Sequence, residues 1–267
     1  MEENNTINSI KFHLLFKINN CVANGDPNAD AQQRVGDDGH GYITDVCFNH
    51  FLRQYMMWKG YDIVFDGKKT AANFGGMSTE TALKNFVDIR LFGAMIRGEV
   101  NKKDENSEEP ELDESEEKTK KGKKGAKGSK KPRSKEEKKG DACISATRSF
   151  NMTVCKTLEP IFPKRNAITR CMKSRDDADQ NSTMGSQPVV EEAVFALNAV
   201  LSGRQAEKNG VTQNDIELLK EAVRNWTKVL EGPRAGRVEI IFFSAEECND
   251  NLVPAHLSLE WAKNYRG

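Results

Sequence analysis

The chain has 267 residues, in which 40 Lys and Arg balance 40 Asp and Glu, and apolar residues make up 37%. A chain of this length can bury a core of its own, so it needs no stabilising disulfide or metal to fold. The balanced charge lacks the basic surplus of most nucleic-acid-binding proteins, and it counts against that class unless the basic residues gather on one face.

The six cysteines are widely spaced and form no C-x-x-C pair. We therefore expect small buried hydrophobic residues in a reducing cytoplasm, with no disulfide, metal site or cofactor. The polar N-terminus lacks the apolar stretch of a signal peptide, and no segment approaches the roughly 18 apolar residues of a membrane span. The sequence predicts a cytoplasmic protein without a membrane partner.

The first predicted elements are a strand and a helix. Apolar and polar residues alternate over residues 10–18, which predicts a strand with one buried face, and the turn at residues 24–28 ends it. Thr44 or Asp45 is placed to cap a helix over residues 46–57, whose apolar residues follow helical spacing. Two short strands are predicted around residues 61–65 and 87–95.

Residues 101–140 form a charged insertion. Its first part, residues 101–117, has 2 basic and 9 acidic residues, and residues 118–139 have 12 basic and 2 acidic. Such a segment buries too little apolar area to offset the entropy of ordering, so we expect a disordered surface insertion. Its basic half is either a tail that touches phosphates or part of a solvated loop whose halves neutralise each other, and the second reading is favoured.

The remaining chain predicts strands within residues 144–158 and an apolar helix over residues 189–202. A second helix starts at the capping-box pattern of Thr212 and Asp215 and runs to about residue 230. A buried strand is predicted over residues 237–244. This order of elements is compatible with an α+β protein that has a ferredoxin-like or RNA-recognition-type sheet with large insertions.

The chain shows no catalytic motif of the hydrolase, zinc-protease, Walker or dinucleotide type. Asp26, Asp30, Asp37 and Asp38 have the oxygen ligands that a divalent cation prefers, but beside Gly and Pro they are more typical of turns. No pair of carboxylates is marked as general acid and base. The sequence favours a binding protein over an enzyme.

Basic residues concentrate in a second place, with seven Lys and Arg between residues 148 and 175, interleaved with Phe150, Phe162 and Met172. Basic and aromatic residues on exposed strands hold a phosphate backbone and stack on bases. An ordinary solvated face has the same composition, so composition alone leaves both interpretations open.

Short motifs resemble a known family. The run NGDPNAD at residues 24–30, then Arg34, HGYITDV at residues 40–46 and Arg53 resemble the N-terminal signature of the seventh Cas family, the backbone subunit of Cascade-type CRISPR complexes, in its subtype I-C and I-B form. Four later motifs follow in the family's order: DIRLFGA at 88–94, ATRS at 146–149, ITRC at 168–171 and TMG at 183–185.

The resemblance implies one domain over residues 1–267, with a ferredoxin-like or RRM-like palm and finger and thumb insertions. It implies that copies of the subunit stack along CRISPR RNA (crRNA) beside other Cascade subunits, and that a thumb hairpin, here residues 165–187 with Met184 as wedge, kinks the strand. The guide then pairs with target DNA while the protein reads backbone and shape. The resemblance implies no catalytic residue, metal or cofactor.

The predicted RNA-binding residues come from the loop after the first strand, the first helix, the basic strand region and the thumb: Asn24, Asp26, Asn28, Arg34, His40, Arg53, Arg148, Arg165, Arg170, Lys173 and Met184. The chain departs from the family after Gly185, where Ser186 and Gln187 replace a basic residue and part of a proline-tyrosine-glycine run. The local RNA contact is weakened there.

Two alternatives remain at this point. A type III-like backbone subunit would cut target RNA with a loop aspartate and a metal, and Asp26 or Asp30 would be that residue. A decoy or regulatory protein would bind other Cas subunits and no RNA.

Overall fold

The computed structural model describes residues 6–74, 76–98, 142–169, 184–254 and 257–263. The strands in these ranges are β1 (Ile10–Cys21), β2 (Gly25–Asp26), β3 (Gln32–Gln33), β4 (His40–Tyr42), β5 (Ala94–Gly98), β6 (Ala142–Ala146), β7 (Phe150–Pro160), β8 (Lys164–Thr169), β9 (Met184–Leu201) and β10 (Val238–Glu247). The helices are α1 (Asp45–Trp58), α2 (Thr79–Asn85), α3 (Val87–Phe92), α4 (Gly203–Asn209), α5 (Gln213–Asn225) and α6 (Glu260–Lys263).

One antiparallel sheet organises the molecule, with strand order β10-β1-β9-β7-β4. β8 pairs with the N-terminal part of β9, which extends beyond the sheet. Two ribbons, β2–β3 and β5–β6, complete the pairing. The mixed α+β class with an antiparallel sheet is confirmed.

The predicted first strand and first helix are confirmed, and their packing explains their patterns. Alternate residues of β1, such as Phe12 and Phe16, are fully buried on the face that α1 and α5 cover. Thr44 caps α1 by accepting a hydrogen bond from the amide of Cys47. Thr212 and Asp215 form the predicted capping box of α5. Local sequence therefore fixes the N-termini of both α1 and α5.

Trp226 lies at the centre of the core between the sheet and the helices. It is 1% exposed, stacks on Phe51 at 5.0 Å and meets Phe16 and Phe48 edge to face at 5.3 and 5.8 Å. Aromatic pairs of this kind add about 0.5–1.5 kcal/mol each beyond area burial. The predicted helix ends before this residue, since α5 stops at Asn225 and a 3-10 turn, Trp226–Val229, follows.

Two smaller apolar clusters flank this core. Phe74, Phe86, Ile89 and Ile144 pack beneath the β5–β6 ribbon. On the other face of the sheet, the C-terminal segment places Ala262 against buried Leu15 and Ala196.

The helix predicted over residues 189–202 is wrong, because residues 189–201 form the C-terminal part of β9. Its Leu197 and Leu201 face the main core, while Ala196 faces the C-terminal segment. A strand covered on both faces loses its alternation of apolar and polar residues, and a short apolar run cannot then be distinguished from a buried helix.

Two further predictions are wrong. Residues 61–65 contain no strand, and their buried Ile63 and Val64 lie in an extended loop. Residues 87–95 begin as helix α3 and turn at Gly93, whose φ of 68° allows the change into β5. Six residues of helix are too few to show a helical period.

The strands predicted within residues 144–158 are confirmed as β6 and β7, and that over residues 237–244 as β10. β10 is only partly buried, because it forms the edge of the sheet. The charged insertion at residues 101–140 lies outside the described residues. Across the described ranges, no helix is long and apolar enough to cross a membrane.

Candidate functional site

The loop between β1 and α1 is held by buried polar side chains. Gln33 is 3% exposed and accepts hydrogen bonds from the amides of Ala23 and Asn24, at 2.9 and 3.1 Å. Its own amide donates to the carbonyl of Tyr42. The Asn24 side chain, 7% exposed, donates to the Thr44 hydroxyl that caps α1. Asn24 therefore joins the start of the loop to its end, and its predicted RNA contact stays a prediction.

The turn at residues 25–31 needs its particular residues. A Cβ on Gly25 would lie 2.8 Å from the carbonyl oxygen of Ala31, so a side chain there displaces backbone. Asp26 accepts a hydrogen bond from the amide of Asn28 and caps a short 3-10 turn, and Asp30 has a left-handed φ of 48°. The Asp30 carboxylate and Asn28 therefore face solvent.

His40 attaches the same loop to the sheet. Its Nδ1 lies 2.8 Å from the carbonyl oxygen of Thr157 in β7, and the amide of Gly41 donates to the Thr157 hydroxyl. Gly41 permits this approach, because a Cβ there would lie 2.5 Å from Ile161 Cδ1. The His40 residue is half-buried, and its Nδ1 is occupied by the contact with β7.

Basic residues of the predicted site meet aspartates of the β1–α1 loop and of the first turn of α1. Asp45 binds Arg148, and Asp30 binds Arg165 at 2.9 Å. Lys156 of β7 makes a third pair of this kind, with Asp38 at 2.8 Å. These three contacts, here named the edge ion pairs, link residues 30–45 to residues 148–165, which include β7 and the start of β8.

Arg34 is also paired, within the loop itself. Its Nη1 lies 3.5 Å from the carboxylate of Asp26, and both side chains are about a quarter exposed. Arg34 Nε is buried and has no hydrogen-bond partner among the described residues. The Arg34 guanidinium thus keeps an unused donor beside the loop.

The predicted thumb contains the β8–β9 hairpin, in which Thr169 pairs with Met184 and Lys164 with Val189. Arg165 also contacts the side-chain amide of Gln32, whose oxygen accepts from Arg165 Nε at 2.6 Å in the amide orientation that satisfies both groups. Arg170, Lys173 and the Met184 side chain lie outside the described residues, and their predicted contacts stay predictions.

Arg53 has a different environment from the other predicted residues. Its side chain is 12% exposed, its Nε lies 3.3 Å from the fully buried Asp88 carboxylate, and the guanidinium lies over the rings of Phe65 and Phe92 at 5.1 and 4.9 Å. Burial raises the pKa of Asp88, while Arg53 and the amides of residues 64 and 65 lower it. This geometry gives Arg53 a structural role, and its predicted RNA contact stays untested.

Cysteine and metal chemistry have little support in the described residues. Cys21 and Cys155 are buried, and burial raises the pKa of the Cys47 thiol to about 11, so these thiols are poor nucleophiles and poor metal ligands at neutral pH. Among the described residues, no group of three His, Cys, Asp or Glu side chains is placed to hold a metal ion.

The predicted RNA-binding residues omit Lys156, Asp38 and Asp45, and sequence reasoning did not show that these residues pair on one surface. Asp38 and Lys156 are 118 residues apart and Asp45 and Arg148 are 103 apart, so no local pattern joins them. One signal is present in the sequence, because the basic residues from 148 onward have an acidic counterpart in the five aspartates of residues 26–45.

The family model for CRISPR-associated protein Cas7 matches residues 8–127 and 149–242, most of the chain. The chain belongs to the Cas7 family. The CRISPR-associated protein Cas7 of Haloferax volcanii is 28% identical over 124 residues, which cover 38% of this chain and 36% of that protein. The match thus spans about a third of its length.

Solved structures give the fold. A chain of a CRISPR RNA-guided surveillance complex in a pre-nicking state matches with a TM-score of 0.52 and 9% identity, over 87% of this chain and 77% of that one. A chain of a type III-B Cmr-beta complex bound to cognate target RNA has a TM-score of 0.46 and 7% identity, over 90% and 61%. The first likeness supports a shared fold.

Proposed function

We propose that this Cas7-family chain is a non-catalytic backbone subunit that binds crRNA and presents it to target DNA, with further copies of itself and other Cascade subunits as partners. One observation carries the proposal. Motif segments far apart in the sequence, at residues 24–46 and 146–169, meet at one edge of the sheet.

The topology supports an RRM-like palm. Strand order β10-β1-β9-β7, with α1 between β1 and β7 and α5 between β9 and β10, has the arrangement of a ferredoxin-like sheet. RRM domains use this sheet to bind single-stranded RNA. The β5–β6 ribbon with its own apolar cluster is suited to the finger, and the β8–β9 hairpin to the thumb.

The electrostatics of the edge support a ligand with a phosphate backbone. Arg148, Lys156 and Arg165 lie along one edge, and each side chain is 42–43% exposed. Spaced cations track a backbone without reading bases, which suits a subunit whose sequence specificity comes from the guide. The matched solved chain comes from a CRISPR RNA-guided surveillance complex.

The alternative of a metal-dependent nuclease is less favoured by the loop geometry. Asp26 lies beside Arg34, and Asp30 is held by Arg165. A metal would compete with these guanidinium groups for the carboxylates. Incubation of the assembled complex with labelled complementary RNA and Mg²⁺ tests this point, and regularly spaced cleavage products would contradict the non-catalytic proposal.

The direct test is purification of the full chain from cells that express a CRISPR array, followed by sequencing of any bound nucleic acid. We expect short RNAs that contain repeat and spacer sequence. A protein free of nucleic acid, with partner subunits still bound, would contradict the proposal and favour the decoy.

A paired variant locates the surface. In the double variant Arg148→Gln and Arg165→Gln, RNA affinity falls and the slope of log K against log salt becomes shallower by about 0.7 for each lost phosphate contact. The matched control is Arg204→Gln with Arg224→Gln, which removes two exposed cations from α4 and α5. An equal loss in both would show that net charge alone sets the affinity.

A further inference from the structure

The edge ion pairs follow a regular order. Asp30, Asp38 and Asp45 bind Arg165, Lys156 and Arg148, so the residue number of the cation falls as that of the aspartate rises. The loop and the β7–β8 segment therefore run antiparallel, with an ion pair every seven to nine residues. The β4–β7 pairing, with Tyr42 opposite Lys156, has the same direction.

Each of these cations is paired with a carboxylate from the loop or, for Arg148, from the first turn of α1. Along the proposed phosphate-binding edge, the three carboxylates thus occupy the places beside the cations that the phosphates of a bound RNA strand would occupy.

The edge ion pairs are also accessible to a ligand. The three carboxylates are 34–77% exposed, and Asp30 at 77% lies on the turn. Exposed pairs contribute little to stability, so a phosphate exchanges with a carboxylate at small cost to the fold. A phosphate must still replace an existing charge–charge contact, which lowers the net gain of each new contact.

We propose that Asp30, Asp38 and Asp45 are affinity-limiting residues that weaken binding of single-stranded RNA to the isolated subunit. This inference rests on the proposed function, since it concerns the same cations. RNA that touches only this edge is held weakly, and stable binding requires further contacts from the hairpin or from neighbouring copies. The three aspartates thereby disfavour binding of RNA outside the assembled complex.

The test compares the full chain with the triple variant Asp30→Asn, Asp38→Asn and Asp45→Asn. The probe is a fluorescein-labelled oligouridylate, and the readout is anisotropy over a series of NaCl concentrations. We expect the variant to bind about tenfold more tightly, because its cations are no longer paired. The salt slope of the variant is also steeper. In the original chain, each carboxylate that a phosphate displaces attracts a cation from the salt, and this uptake partly offsets the counterions released from the RNA.

The matched control removes three carboxylates of exposed ion pairs elsewhere: Asp62→Asn, Glu217→Gln and Glu221→Gln, which bind Lys69, Lys220 and Lys59. It has the same change in net charge. An equal gain in affinity in the control would overturn the proposal, because charge alone would then explain the effect. Lower affinity in the edge variant would also overturn it and would show that the pairs position the loop.

The result separates this inference from the proposed function. If the original chain binds RNA and the edge variant binds equally well, the inference fails and the function stands. If neither binds the probe and no RNA co-purifies from cells with an array, the proposed function fails. Circular-dichroism melting verifies that the edge variant is folded, since Asp45 also lies in the first turn of α1.

Discussion

Two sets of ion pairs in this molecule join Asp to Arg or Lys and have different surroundings. Asp88 binds Arg53, and Asp215 binds Arg90 through two contacts of 2.8 Å; these carboxylates are 0% and 3% exposed. The carboxylates of the edge ion pairs are at least 34% exposed. A buried charge without its partner is costly, whereas water replaces the partner at an exposed pair.

The difference divides the charged residues by task. The buried pairs join α3 to α1 and to α5, and they hold helices at fixed positions behind the sheet. The edge ion pairs join residues 30–45 to residues 148–165 at the surface, where a ligand can replace one partner of a pair. An arginine in a family motif is therefore insufficient to identify a ligand contact, because Arg53 and Arg148 differ mainly in burial.

The largest expected effect is at Asp88. Asp88→Ala leaves the Arg53 guanidinium buried without its carboxylate and frees the amide of Val64, so we expect a loss of about 3–5 kcal/mol in the free energy of unfolding. Urea denaturation measures it, with Asp30→Ala as the exposed counterpart. If both variants lost the same amount, the division by burial would be wrong.

A somewhat smaller effect is expected at Asp215. Asp215→Ala removes both the Arg90 pair and the capping contact with the amide of Thr212, and we expect a loss of about 2–4 kcal/mol. Thr212→Ala removes only a cap and costs about 1 kcal/mol. Chemical denaturation of both separates the two contributions. Equal losses would show that the Arg90 pair contributes nothing.

A much smaller effect is expected at the edge. Arg165→Gln breaks the contact with Asp30, and the melting midpoint should shift by no more than the equivalent of about 1 kcal/mol. Differential scanning calorimetry at low and high salt measures the shift, which should shrink as salt screens the pair. A large fall in the melting midpoint that does not depend on salt would show that the Arg165–Asp30 pair behaves like the buried pairs.

The smallest effect is a change in titration. The hydrogen bond from Lys156 is the main reason that the pKa of Asp38 lies below its ordinary value. Because the folded-state pKa is lowered, the stabilisation is present above the unfolded-state pKa and is lost as pH falls through the folded-state value. Carboxyl NMR should show that Lys156→Gln raises the Asp38 pKa toward normal, and an unchanged value would exclude this pair in solution.

Local signals made part of the fold predictable. The alternation in β1 and the caps at Thr44 and Thr212 are short-range patterns, and the structure confirms all three. β9 was mistaken for a helix because tertiary structure covers both its faces, and no sequence window contains that information. The alternation of apolar and polar residues identifies a strand with one buried face, but it is lost in a strand whose two faces are both buried.

The sequence predicts several residues of the candidate site but not the ion pairs that they form. Family motifs point to Arg34 and Arg148, and the candidate thumb includes Arg165; the structure places all three near one loop. The same motifs included Arg53 and Asp88 without showing that the two bind each other in the interior. Pairing depends on distant segments, so residue type alone could not separate a buried pair from an exposed one.

The length of β9 has a mechanical consequence. Its 18 residues extend about 60 Å at the usual rise of a strand, from the hairpin to the middle of the sheet. Residues 184–189 pair with β8 and the rest with β1 and β7, and Pro188 lies next to the point of change. Proline has no amide hydrogen to donate to a neighbouring strand, and it stands where β9 leaves β8 and enters the sheet. A force applied to the hairpin therefore acts on the same continuous strand that pairs with β1 and β7 in the sheet.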